Sequence, residues 1–128
     1  MRQVTAAVII EDGLLLLARR GPEEKLAGLW ELPGGKLEPG ETVQQCLERE
    51  LLEELAMASE AGAVLARTTH VYEHGSFEML ALSVTRLSDY QPTVHDLVRW
   101  VSRNDLCALE LAPADVALIA ELQRQGIW

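Results

Sequence analysis

Apolar and polar positions along this chain fall into runs whose period switches between that of strands and that of helices. Val4 to Ile10 is apolar and rich in β-branched residues, and Glu11-Asp12-Gly13 follows it. An Asp-Gly pair between apolar runs is a hairpin signal, so Leu14 to Ala18 reads as the partner strand, ending at Arg19-Arg20. Gly21 to Gly28 is a polar loop. Trp30-Glu31-Leu32 is a short extended piece cut off by Pro33-Gly34-Gly35, and Glu38-Pro39-Gly40 makes a second turn.

Thr42 to Leu55 carries the clearest helical pattern. Thr42 is a good N-cap, Gln45 three residues on can close a capping box, and Leu47, Leu51 and Leu55 form one stripe. Strand character returns at Ala63 to Thr69 and Met79 to Thr85, with a turn expected at His74-Gly75-Ser76. Leu87 to Pro92 reads as loop and His95 to Val101 as strand, and Pro113 or Asp115 opens a last helix reaching about Gln125. This order argues for an α+β fold, a mixed sheet with helices packed on it.

Composition narrows the picture. With 128 residues, 48% hydrophobic and 24% charged, the whole of 1–128 is expected to be one globular domain rather than a disordered or low-complexity chain. No apolar stretch is long enough to span a bilayer, and Met1-Arg2-Gln3-Val4 does not open a convincing signal peptide. Cys46 and Cys107 offer neither a disulfide framework nor metal-ligand spacing, so reduced thiols in a cytoplasmic protein are expected. A net charge of -9 argues against a nucleic-acid-binding face. It is compatible with phosphorylated small molecules if divalent cations stand between carboxylates and phosphates.

The placement of the acids supports that second option. Glu50, Glu53 and Glu54 fall within about 100° of arc on the helix, beside the leucine stripe. Like charges at such spacings cost roughly 0.2–0.5 kcal/mol per pair. Arg49 offsets part of this repulsion, and a hard divalent cation with oxygen ligands, Mg²⁺ above all, would offset it fully. Gly34 and Gly35 let the backbone come close enough for a main-chain carbonyl to join such a site.

A helix reading E-R-E-L-L-E-E is ordinarily just a solvated face. The wider spacing changes that. From Gly35 the chain reads G-x5-E-x7-R-E-L-L-E-E-x-A-M, with Glu41 at the inner E and Arg49 at the R. This resembles the Nudix box, G-x5-E-x7-R-E-U-x-E-E-x-G-U with U a bulky aliphatic residue, at every position except the late glycine, which is Ala56 here. If a left-handed helix end is kept at that point, Ala costs on the order of 1 kcal/mol. Gly28-Leu29-Trp30-Glu31-Leu32-Pro33-Gly34-Gly35 and the tail Leu111-Ala112-Pro113-Ala114-Asp115 are similar to the MutT-like branch, and nearly the whole chain is covered. The tail is similar to that of bacterial CTP pyrophosphohydrolases and of 8-oxo-dGTP diphosphatases.

The resemblance implies a Nudix fold and Mg²⁺- or Mn²⁺-dependent hydrolysis of a nucleoside triphosphate, such as CTP or 8-oxo-dGTP, to the monophosphate and pyrophosphate. It implies Glu50, Glu53 and Glu54 as carboxylate ligands and the Gly34 carbonyl as a backbone ligand. Arg49 orients the carboxylates, Glu41 braces the loop, and Glu53 is our choice of general base. Many members of the branch place a glutamate where this chain has Val94; Asp96 is the nearest substitute. Arg20, Leu32, Lys36 and Asp115 match substrate-binding positions, Asp115 one that reads the base. Each has an ordinary reading too: a solvated strand-end arginine, a core leucine, an exposed loop lysine and a helix cap. His70, His74 and His95 lack ligand spacing and read as structural or exposed.

Three functions compete at this point. They are a triphosphate pyrophosphohydrolase, a Nudix hydrolase of another class (ADP-ribose, dinucleoside polyphosphates, RNA 5′ ends), and a non-catalytic nucleotide-recognition module. The short chain, the Pro-Ala-Asp tail and the full set of box glutamates favour the first, with a small nucleotide as partner and neither nucleic acid nor membrane. Sequence leaves the preferred base and the oligomeric state open.

Overall fold

A computed structural model describes residues 1–128. Two sheets carry the fold. In the first, β1 (Arg2–Val8) runs parallel to β6 (Gly75–Arg86), which pairs antiparallel with β5 (Ser59–Tyr72). In the second, β3 (Leu14–Arg20) pairs antiparallel with β7 (His95–Val101). The short strands β2 (Ile10–Glu11) and β4 (Trp30–Glu31) also pair with β3, at its two ends. The β2–β3 turn is the Asp-Gly turn expected, with Asp12 and Gly13 both left-handed at φ 53° and 78°.

Strand alternation divides the core. On one face Ala6, Val8, Leu15, Leu17, Met79 and Ala81 pack with Leu118, Ile119 and Leu122 of α2 (Pro113–Arg124). On the other, Ala7, Ile9, Leu16, Leu80 and Leu82 pack with Leu47, Leu51 and Leu55 of α1 (Val43–Leu55). Mixed sheet thus lies between two helices, as the order of elements implied. No helix is long and apolar enough to cross a membrane.

Helix α1 starts as its sequence predicts. Thr42 Oγ1 accepts from the Gln45 backbone N–H, and the Gln45 side chain accepts from the Thr42 N–H, closing the capping box. At its other end Ala56 keeps the left-handed conformation, φ 50° and ψ 36°, so the fold bears the penalty a glycine would avoid. The last carbonyls are then claimed from outside the helix: Thr93 N–H donates to Glu54 O at 2.8 Å and Gln91 N–H to Leu55 O at 2.7 Å. The Thr93 hydroxyl adds a bond to Glu53 O at 2.7 Å. This ties the segment entering β7 to the acidic end of α1.

Two local expectations need correction. The β5 and β6 strands are longer than their apolar runs, so the turn falls at Glu73-His74 rather than at His74-Gly75-Ser76. Apolar patterning misses the polar outer residues that backbone pairing still recruits. Helix α2 begins at Pro113, the first of the two starts expected, so Asp115 lies inside its first turn and caps nothing.

Candidate active site

The glycine loop is built as an extra edge on β1. Ala7 N–H donates to Pro33 O and Thr5 N–H to Gly35 O, both at 2.8 Å, and Leu37 N–H donates to Gln3 O at 3.0 Å. This closeness explains both glycines. A Cβ on Gly34 would lie 2.1 Å from the Thr5 carbonyl oxygen, and one on Gly35 would lie 2.3 Å from the Glu50 carboxyl carbon. Gly34 lets the loop dock on β1, and Gly35 makes room for Glu50.

Arg49 then organises the acids. Its Nε and Nη2 donate to the two oxygens of Glu41 at 2.7 and 3.0 Å. Its Nη1 donates to Glu50 at 2.9 Å and Glu53 at 3.3 Å, and Nη2 also reaches the Lys36 carbonyl at 3.2 Å. Arg49 thereby holds the Glu41 carboxyl down at about 2. The three arc glutamates are not equivalent. Glu50 and Glu54 have side chains 16% and 17% exposed, whereas Glu53 is 59% exposed. Glu54 has no arginine of its own. Burial first, then the neighbouring Glu50 and Glu31 carboxylates, hold its proton affinity well above the usual carboxylate range.

Two adjoining clefts meet over this loop. One of about 550 Å³ is walled by Glu50, Glu54, Gly34, Gly35 and Leu37 to Pro39. The other, of about 610 Å³, runs from Glu54 past Arg20, Glu31 and His95 to Leu32, Phe77, Met79 and Asp115. Arg2, Gly34, Gly35, Lys36 and Glu54 belong to both. At the far end Asp115 is only 4% exposed. Its Oδ1 accepts from the Leu32 N–H at 2.9 Å, and no protein group donates to Oδ2. Burial, opposed by the bond from Leu32, pushes its carboxyl up to about 7.

Of the residues expected from sequence, the fold brings Gly34, Glu50, Glu54, Arg20, Leu32, Lys36 and Asp115 to these clefts, with Arg49 and Glu41 behind the loop; Glu53 lines neither cleft and is exposed beside Arg49. Arg20 is already engaged, donating to Glu31 at 2.6 Å. Asp96 does not stand in for the missing loop glutamate. A bulge in the β3–β7 register pairs Arg19 with Leu97 and Arg20 with His95. Asp96, skipped between them, takes both Nε and Nη2 of Arg19 at 2.8 and 2.9 Å on an exposed surface. His95 is the residue that sequence reasoning missed. Buried, it places Nε2 2.9 Å from Glu31 and 3.7 Å from Glu54. Only the pairing of two strands distant in sequence puts it there, so no local spacing could reveal it.

The donor set fits a hard divalent cation. Glu50 and Glu54 bring carboxylates and Gly34 its backbone to one cleft, Gly35 leaves the space a side chain would fill, and the crowding that raises Glu54 is what a bound cation relieves.

Comparison with known proteins agrees with this geometry. The family model described as NUDIX domain matches residues 5–121. The chain is 38% identical over 123 residues to "CTP pyrophosphohydrolase" of Escherichia coli K12, covering 93% of this chain and 89% of the relative. It is 36% identical over 123 residues to "Putative 8-oxo-dGTP diphosphatase 2" of Mycobacterium tuberculosis H37Rv, covering 94% and 87%. The solution structure of the E. coli ORF135 protein superposes with a TM-score of 0.86 at 35% identity, covering 97% of this chain and 89% of that one. The chain therefore belongs to the Nudix family. Within it, this is a hydrolase of the MutT-like branch.

Proposed function

We propose that this enzyme is a Mg²⁺-dependent nucleoside triphosphate pyrophosphohydrolase. It takes a CTP-like or oxidised-guanine nucleotide and water to the monophosphate and pyrophosphate. One observation carries the reading: an acidic, glycine-walled cleft adjoins a second cleft that ends at a buried carboxylate with one oxygen free of protein donors. Such a pair suits a ligand with a polyphosphate at one end and a hydrogen-bond-donating base at the other.

Glu50, Glu53, Glu54 and the Gly34 carbonyl are the residues to hold the cation. When bound, it shields the phosphates from a -9 protein, polarises the scissile phosphoanhydride and lowers the pKa of water. Arg49 keeps Glu50 and Glu53 oriented, and Glu41 keeps Arg49 in place. Glu53, the exposed member of the arc, is the residue to take a proton from water, held by Arg49 at 3.3 Å. Asp115 accepts from the cytosine amino group or from the N1–H and N2–H₂ edge of a guanine. Leu32 orients Asp115 through its backbone and lines the same pocket.

The test is a hydrolysis panel with Mg²⁺ over CTP, dCTP, 5-methyl-dCTP, dGTP, 8-oxo-dGTP and ADP-ribose, with products resolved. Monophosphate and pyrophosphate from at least one triphosphate, abolished by chelation, are expected. Release of orthophosphate, or turnover of ADP-ribose alone, would overturn the proposal.

A further inference from the structure

The cations around the two clefts are not equally available. Arg20 is paired with Glu31, and its Nε also donates to the Lys25 carbonyl at 2.5 Å. Arg49 is spread over Glu41, Glu50 and Glu53. Both are committed to holding the protein's own acids in place. Arg2, Lys25 and Lys36 line the clefts with no carboxylate oxygen within 4.0 Å of their charged nitrogens. Of these, Arg2 and Lys36 border both clefts, where a chain of phosphates passing from the acidic end toward Asp115 has to cross.

Arg2 is set there by the sheet. It opens β1 opposite Phe77 of β6, and strand alternation puts it on the same face as Val4, Ala6 and Val8. Val4 and Phe77 line the deeper cleft below it, and Val4 bridges to Lys36 of the glycine loop. An exposed guanidinium with no carboxylate partner, beside an unpaired lysine and bordering both clefts, lacks only an anion. We propose that Arg2 is a substrate-binding residue that grips the polyphosphate chain, its planar fork spanning phosphate oxygens while Lys36 acts as a point charge beside it. This rests on the function proposed above and assigns a role to a residue outside the family motif.

A phosphate grip predicts a loss that ignores the base. Relative to wild type, Arg2→Ala should raise KM roughly tenfold, by a similar factor for every triphosphate the enzyme accepts, with kcat nearly unchanged. Arg2→Lys should recover part of the loss. Calorimetric titration with Mg²⁺-tripolyphosphate, which has no base, should show the same weakening in Arg2→Ala, while the melting temperature stays at the wild-type value. An unchanged KM and tripolyphosphate affinity in Arg2→Ala would overturn the proposal, and so would a KM rise confined to one base. If wild type hydrolyses no triphosphate, the functional reading fails, and the tripolyphosphate titration still decides whether Arg2 binds the anion.

Discussion

The two helices cover opposite faces of the same sheet layer, yet they contribute to the site in opposite ways. Helix α1 is self-contained at its start, where Thr42 and Gln45 cap each other, and its acids follow from 3.6-residue spacing. Helix α2 opens with Pro113 and no side-chain cap, and its one first-turn acid turns away from its own backbone to meet Leu32, 83 residues earlier. One helix carries its chemistry in local order. The other carries it in a tertiary contact. Hydrolysis and base choice should therefore be separable by mutation.

The largest expected effect lies on α1. Glu54→Gln and Glu53→Gln should each lower kcat by orders of magnitude for every substrate, with folding retained. Since burial and neighbouring carboxylates disfavour ionised Glu54, the metal-free melting temperature of Glu54→Gln at pH 8 should not fall below wild type. Steady-state turnover and thermal denaturation check both points, and near-wild-type turnover would remove these glutamates from the mechanism.

The glycine pair sharpens the division between fold and chemistry. Gly34→Ala drives a Cβ into the backbone of β1, so it should lower stability by several kcal/mol and release the loop. For Gly35→Ala the nearest atoms are those of the Glu50 carboxyl group, the far end of a side chain rather than backbone. It should fold with a modest loss, yet lose most activity because Glu50 is displaced. Denaturant unfolding beside kcat/KM distinguishes the two. Equal stability losses would contradict the assignment.

On α2 the probe is pH. The folded-state pKa of Asp115, about 7, lies above its unfolded value, so between about pH 4 and pH 7 the folded state binds more protons at this site. Its contribution is fully present at low pH and declines as pH rises through that window. Asp115→Asn keeps an acceptor for Leu32 without titrating. Melting curves should show the mutant gaining on wild type from pH 4 to pH 7; parallel curves would mean that Asp115 stays ionised. The smallest effect is at the end of α1. Ala56→Gly should add about 1 kcal/mol by relieving the left-handed alanine, partly offset by greater chain entropy in the unfolded state, with kcat/KM unchanged.

What sequence made legible follows the same line. The α1 capping box, leucine stripe, acidic arc and glycine loop are short-range features, and the structure keeps each of them. The positions of Asp115, His95 and Asp96 depend on contacts between distant segments. A single bulge in the β3–β7 register sends His95 toward Glu54 and Asp96 toward Arg19, and no alternation pattern in residues 95–101 announces it. Arg2 escaped notice for the same reason, since a basic residue at a strand's start is unremarkable until the loop beside it is known.

The central claim, that α1 performs hydrolysis while Asp115 of α2 chooses the base, is tested most directly by one set of rates. These are kcat/KM for CTP, dCTP, 5-methyl-dCTP, dGTP and 8-oxo-dGTP in wild type, Glu54→Gln and Asp115→Asn. Glu54→Gln should depress all substrates by a common factor. Asp115→Asn should reorder them, because a carboxylate that accepts from the base becomes an amide that also donates, while the Mg²⁺ concentration giving half-maximal activity stays the same. If Asp115→Asn lowers every substrate equally, or none, the base is read elsewhere and the division between the two helices is wrong.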